Sequence, residues 1–369
     1  MIGQRNFIMR TIRQITAVTL GLLVIQCSSA AKKDAPIISQ KIIPGIPGAV
    51  FIQRIQTDQQ PKQVCFHPSR DEIYVTNLGG TAAKSTGPGS LQIFKKSTGE
   101  LLFRQPAIAA VECLLDLSDE NVLYYSDMFS DEIVKFDLLN RKVLYRASIK
   151  ESNISNFRGT NYRYMPKIIE PDTINKRLYV SMWLDGVSVI NSETGEFIRR
   201  FPRFCSHPRG LMVEKNTLFV MCYGVPDGPG EIVQLDTVTG QVISRLNTGG
   251  SPRHIVRISK EKALISNLNA GLIYLYDFTK GTIDKSLKTG AANTIVLDPG
   301  KEFVYVNDRS HNKIYIVSIQ EWKILTTIST GPFPTGLDVS RDGRFLAVTN
   351  FDDASFDLFE LKRGQQSIQ

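Results

Sequence analysis

Tyr74-Val75-Thr76-Asn77, a run of β-favouring residues ending in a small and a polar one, recurs along the chain. Tyr124-Tyr125-Ser126-Asp127, Tyr179-Val180-Ser181-Met182 and Phe219-Val220-Met221-Cys222 repeat its character. Leu264-Ile265-Ser266-Asn267, Tyr305-Val306-Asn307-Asp308 and Ala347-Val348-Thr349-Asn350 complete seven copies. Their starts lie 50, 55, 40, 45, 41 and 42 residues apart, a period of propeller blades or a solenoid.

The surroundings of each copy decide between the two. Upstream lies a short apolar segment, often opened by proline, as in Pro61-Lys62-Gln63-Val64 or Pro208-Arg209-Gly210-Leu211. Downstream come an alternating strand such as Ile133–Asp137, a turn such as Glu193-Thr194-Gly195, and a fourth strand such as Gln241–Leu246. Four strands in about 42 residues without helical periodicity predict an antiparallel propeller blade. The last copy has no fourth strand after Phe356–Leu361, while Ala49–Gln56 is a strand without a blade. Edge strands left open invite aggregation. The N-terminal strand is therefore expected to complete blade seven, giving an all-β, seven-bladed propeller over residues 49–363 with a polar tail at 364–369.

The copies resemble the YVTN repeats of bacterial seven-bladed β-propeller proteins, and Thr248-Gly249-Gly250-Ser251-Pro252 resembles that family's inter-blade segment. The resemblance covers about residues 49–363 and implies the fold. It says little of activity, because this scaffold hosts binding proteins, lactonases and redox cofactors alike.

At 369 residues with 42% hydrophobic and 22% charged residues, the chain is globular in composition, which excludes disordered and collagen-like classes. Residues 1–26 carry Arg5, Arg10 and Arg13, no acid, and an apolar stretch from Ile15 to Ile25. Eleven apolar residues fit a secretory signal better than a membrane span. The stretch ends Leu23-Val24-Ile25-Gln26-Cys27, which resembles a lipobox and implies lipidation at Cys27. An alternative is ordinary signal cleavage near Ala30 or Ala31. Residues 27–48 read as a flexible tether. Without the leader, 41 basic residues face 36 acidic ones, a net charge of +5, too modest to imply nucleic acid. The expectation is a monomeric lipoprotein of the bacterial cell envelope, on the periplasmic or outer-membrane side, or a secreted protein if Cys27 is not modified.

Three intervals exceed a bare blade: Leu78–Ser90, Ile149–Tyr164 and Gly224–Gly230. By antiparallel topology all three emerge on one face, the expected binding face. The innermost strands begin on that face too, and their second position reads Lys62, Glu112, Lys167, Arg209, Arg253, Asn293 and Thr335 around the ring. Four cations there, with His254 beside them and Arg158 and Arg163 in an insertion, would focus positive potential on a carboxylate, phosphate or acidic polymer. Alternatively these cations point to solvent or pair with Glu112, Asp127 and Asp308. Trp183 and Tyr223, just past second strands, are either exposed on the same face or fill the gaps between blades.

Signals for chemistry are few. The sequence holds no HExxH, GxSxG or zinc-spaced Cys/His cluster and no CxxCH, so no metal or cofactor is expected. His67 and His207 read as turn or edge residues. Strand-end Asn77, Asp127, Asn267, Asp308 and Asn350 suit calcium ligation or tight turns. Cys65 and Cys113 read as small buried apolar groups, whereas Cys205 and Cys222 could pair if register permits. Sequence alone thus favours a binding scaffold for a protein or anionic ligand. A propeller enzyme, either a lactonase-type hydrolase or a redox protein with a noncovalent cofactor, is the alternative.

Overall fold

A computed structural model of the chain describes residues 47–80, 88–116, 118–149, 164–225 and 228–363. These form seven four-stranded antiparallel sheets. Strand β1 (Pro47–Gln56) stands apart in sequence from its sheet. Blade one holds β2 (Pro61–Phe66), β3 (Glu72–Asn77), β4 (Gly89–Lys95) and β5 (Leu101–Ala107). Blade two holds β6 (Leu114–Leu115), β7 (Val122–Asp127), β8 (Glu132–Asp137) and β9 (Lys142–Ser148). Blade three is β10 (Pro166–Asp172), β11 (Arg177–Met182), β12 (Val187–Asn191) and β13 (Phe197–Phe201). In blade four follow β14 (Pro208–Glu214), β15 (Thr217–Cys222), β16 (Glu231–Asp236) and β17 (Val242–Asn247). Blade five has β18 (Pro252–Arg257), β19 (Lys262–Asn267), β20 (Leu272–Asp277) and β21 (Thr282–Lys288). Blade six has β22 (Ala292–Leu297), β23 (Phe303–Asp308), β24 (Lys313–Ser318) and β25 (Lys323–Ser329). Blade seven joins β26 (Pro334–Val339), β27 (Phe345–Asn350) and β28 (Ser355–Arg363) to β1, in the order β1-β28-β27-β26.

The ring is therefore closed by the N-terminal strand. The β1–β28 ladder runs from Pro47↔Arg363 to Gln56↔Ser355, so β1 starts two residues inside the segment read as a tether, because β28 is long enough to pair with them. Arg54 reinforces the latch through Asp357 (2.7 Å) and Asp353 (3.3 Å).

The repeated motif explains why each blade holds its inner strand. Its first two residues are core: Tyr74, Val75, Tyr125, Val180, Val220, Ile265 and Val306 are all fully buried. Its third residue serves a β-bulge. Where the inner strand begins, the ladder slips, between Pro61 and Gln63, Pro166 and Ile169, Pro208 and Leu211, and Pro252 and His254. A bulge frees a backbone N–H, and a buried orphan N–H is costly. The motif's hydroxyl or amide accepts it: Gln63 N–H to Thr76 (3.2 Å), Ile168 to Ser181 (3.1 Å), His254 to Ser266 (3.1 Å), Thr294 to Asn307 (2.6 Å) and Gly336 to Thr349 (2.6 Å). The same groups donate to the next blade's inner strand, Thr76 to Val111 O (3.0 Å), Ser126 to Lys167 O (2.9 Å) and Ser266 to Asn293 O (2.7 Å). One side chain thus holds its own bulge and the neighbouring blade.

Blade four breaks the pattern with Met221. Gly210 compensates by close approach: a Cβ there would lie 2.8 Å from Arg253 O and 3.1 Å from the His254 Cα. Blade two departs differently, for it lacks the opening proline and its inner strand shrinks to Leu114–Leu115. Ser126 still accepts the Glu112 N–H (3.1 Å).

Candidate functional site

The bulges decide where the ring column points. Lys62, Lys167, Arg209 and Arg253 each occupy the irregular position between the last paired proline and the resumed ladder, and bulges re-aim side chains. The preceding backbone is held in the left-handed region at Gln60, Met165, His207 and Phe333 (φ between 55° and 60°), strain concentrated at the mouth. Lys62, Arg209 and Arg253 line one small cavity with Glu112, His254, Asn293 and Thr335, about 50 Å³ in volume. Six of the seven ring-column residues thus share this mouth. Lys167 is buried beside it, its ammonium on the Met128 sulfur.

A fifth cation joins them. Arg309, in the turn after β23, bears on Lys62, Arg209 and Arg253, lowering the proton affinity of each. It stands one residue past its motif copy, in the column Leu78, Met128, Trp183, Tyr223, Leu268, Arg309 and Phe351. Sequence reasoning takes only Trp183 and Tyr223 from that column; reading it as a second ring would have found Arg309 and Phe351. Trp183 and Tyr223 are both half-buried. The Arg209 guanidinium lies 4.0 Å over Trp183 and 5.8 Å from Tyr223, with Arg309 4.6 Å over Phe333 and Lys62 4.8 Å over Phe351. His207, read as a turn or edge residue, lies in the bend just before β14 and also packs on Trp183, with centroids 4.1 Å apart.

The electrostatics are one-sided. Burial and the neighbouring guanidiniums pull Lys62, Lys167 and Arg209 well below their ordinary proton affinities and Arg253 down to about 10. Burial pushes the Glu112 carboxyl up to about 8, so it is mostly neutral at pH 7. None of the five cations forms a salt bridge with a carboxylate among the described residues. Asp127 instead accepts the Ile108 and Ala109 N–H groups, and Asp308 pairs with His311 (2.8 Å). Cation–π contacts of about 0.5–2 kcal/mol each fall short of a desolvation penalty of several kcal/mol per ion. The Nε atoms of Arg209 and Arg309 are buried without a hydrogen-bond partner.

The strand-end Asn and Asp residues are structural. Asn267 Oδ1 accepts the Ser251 N–H (2.6 Å), Asn77 donates to Ser90 (3.1 Å) and Asn350 to Ser355 (3.1 Å). They tie turns and inter-blade connections. Among the described residues no His/Cys/Asp/Glu group is arranged to hold a metal. His67 is a turn residue, its Nδ1 accepting the Ser69 and Arg70 N–H groups.

The structure pairs Cys205 with Cys222 (S–S 2.00 Å, Cα atoms 6.0 Å apart). It also pairs Cys65 with Cys113, which corrects their reading as merely apolar groups. Neighbouring inner strands converge towards the channel, and that brings the two Cα atoms to 6.5 Å.

Leu78 opens the first insertion and Met165 follows the second. Leu78, Val111, Met128, Met165 and Phe351, from the loops around the mouth's face, pack into one apolar cluster. The bodies of two insertions, with Arg158 and Arg163, lie outside the described residues, as do Cys27, the leader, the tether up to residue 46 and the tail.

Comparisons agree with this architecture. The sequence model of a family described as "Lactonase, 7-bladed beta-propeller" matches residues 220–369. Antigen Lp49 of Leptospira interrogans is 26% identical over 331 residues, 82% of this chain and 68% of that protein. The uncharacterized protein YncE of Salmonella typhimurium is 23% identical over 126 residues, only 32% of this chain and 36% of its own length. Among solved structures, hydrazine synthase of Kuenenia stuttgartiensis superposes with a TM-score of 0.68 at 13% identity, over 85% of this chain and 98% of that one, a likeness of fold alone. The chain is a seven-bladed β-propeller, similar in sequence to antigen Lp49 and, over a shorter stretch, to YncE.

Proposed function

We propose that this chain is an exported envelope lipoprotein, anchored through Cys27, whose propeller binds an anionic ligand at the channel mouth. One observation carries the ligand reading: five cations converge where no carboxylate among the described residues pairs with them. Five like charges in a half-buried space repel one another, and an anion relieves both that repulsion and the lost hydration. Export is supported by the basic and apolar character of residues 1–26, and by two disulfides, which persist in oxidising compartments.

Citrate titrated calorimetrically into the full chain tests the mouth. Replacing Arg209 and Arg253 together by Ala removes two charge-assisted hydrogen-bonding groups, each contributing about 1.5–3 kcal/mol, so affinity should fall at least ~100-fold. The salt dependence should flatten with it. Unchanged affinity and salt slope in the double variant would refute the reading. For the anchor, Cys27→Ser should move the protein from the membrane fraction to the soluble one; retention in the membrane would refute lipidation there.

A hydrolase of the lactonase type is a second reading, supported by the family match over residues 220–369, which include Arg253, His254 and Arg309. His254 donates from Nδ1 to Ile295 O (3.1 Å), and burial holds its imidazole down to about 4, leaving Nε2 a neutral base. With Glu112 as a protonated acid in the same cavity, the pair suits proton transfer.

A further inference from the structure

Below the cations the channel changes character. The inner strands run away from the mouth at ~3.3 Å per residue, so a side chain three positions past the ring column sits about 10 Å deeper. The wall over those positions is mainly aliphatic, with Ile168 one position, Leu114 two, and Val256 and Val296 three positions past the column, each keeping some solvent contact. This deeper space has a volume of about 280 Å³ and adjoins the mouth, Gln63, Glu112, Ile168 and His254 bordering both. Lys62, Arg209 and Arg253 border only the upper space. The lower one holds the carboxyls of Glu170 and Asp338, each accepting an inner-strand N–H of the next blade, from Val213 (3.0 Å) and Phe66 (2.8 Å). Charge along the axis thus runs from uncompensated cations at the entrance to apolar wall and occupied carboxyls within.

We infer that the channel takes an anionic amphiphile end-on, its charged head among Lys62, Arg209 and Arg253 and its apolar tail against Val256 and Val296. This rests on the anion-binding reading and specifies its ligand class. A compact polyanion would satisfy the entrance yet leave the aliphatic wall wet. An apolar tail covers that wall, and removing such surface from water is favourable in proportion to its area. The cations fix the direction, since Lys62, Arg209 and Arg253 border only the upper space.

The test is a chain-length series on the full protein: acetate, butanoate, hexanoate and octanoate by calorimetry, with citrate as a tailless reference. Each buried methylene should tighten binding about fourfold, the equivalent of ~0.8 kcal/mol. Val256→Thr and Val296→Thr together should flatten the series and leave citrate affinity unchanged. Octyl phosphate run beside octanoate separates a lipid-type phosphate head from a free carboxylate, and length dependence in either series supports the inference. Citrate binding with octanoate no tighter than acetate overturns the amphiphile while sparing the anion site. Loss of binding for citrate and the carboxylates alike overturns both. The wild-type series decides even if the double variant fails to fold.

Discussion

Asp338→Asn should make the protein more stable above neutral pH and slightly less stable in acid. Asp338 sits on the inner strand of blade seven, where Oδ2 accepts the Phe66 N–H (2.8 Å) and Oδ1 the Val339 N–H (2.9 Å). Those two bonds favour the carboxylate, but burial outweighs them and pushes the group up to about 7 from an ordinary 3.8. The folded chain therefore keeps a proton that the unfolded chain releases from about pH 4 upward. Stability from this group is lost as pH rises through the 4–7 window and is flat above it. Three units at ~1.36 kcal/mol each set the loss at up to about 4 kcal/mol. The amide cannot ionise, so it escapes this loss; it keeps one oxygen for Phe66 and gives up the Val339 bond, a difference of about 1 kcal/mol. The two proteins should be equally stable near pH ~5, with the variant about 3 kcal/mol ahead at pH 8. Urea unfolding at pH 4, 5, 6.5 and 8 measures the difference directly. A stability difference that is the same at every pH would refute the argument, because it would mean that Asp338 binds its proton equally in the folded and unfolded chain.

Deleting residues 47–56 removes the strand that closes blade seven, and the product should lose cooperative unfolding and aggregate; a sharp thermal transition like the parent's would show that the ring closes without it. Cys205→Ala opens a cross-link spanning 17 residues, and Cys65→Ala one spanning 48. The loop-entropy relation predicts losses of about 3 and about 4 kcal/mol respectively, to be read from urea midpoints under non-reducing conditions; no change on adding reductant to the parent protein would contradict both.

The fold is legible in the sequence because the seven copies of the motif do the same physical work in every blade. Tyr74 and Val75 fill the core, Thr76 serves the bulge, and Asn77 holds the turn, so their spacing alone reveals the blades. The ring column is legible for the same reason, since Lys62, Lys167, Arg209 and Arg253 follow prolines that mark a fixed register. Arg309 is not, because it follows the motif instead of a proline and comes to the mouth from the outer side of a turn. The Cys65–Cys113 pair escapes because its partners lie 48 residues apart on separate blades, and only the radial convergence of inner strands brings them together. The turn position of His207 is legible, but its contact with Trp183 is not, because that ring belongs to the preceding blade. What is missing in each case is contact between blades, which a repeat read one copy at a time does not contain.

The bulge at the head of each inner strand separates two duties that most binding sites force on the same residue. Backbone demands there are met by Thr76, Ser181, Ser266, Asn307 and Thr349 from the adjacent strand, so Lys62, Lys167 and Arg253 ride on their bulges without serving them, whereas Asn293 and Thr335 tie blades together through Thr335 O (2.9 Å) and Pro61 O (2.8 Å). Lysine, arginine, glutamate, asparagine and threonine all stand in that place within this one molecule. The entrance is in effect a seven-letter word written on a fixed frame, and a lineage can respell it one letter at a time without redrawing the page.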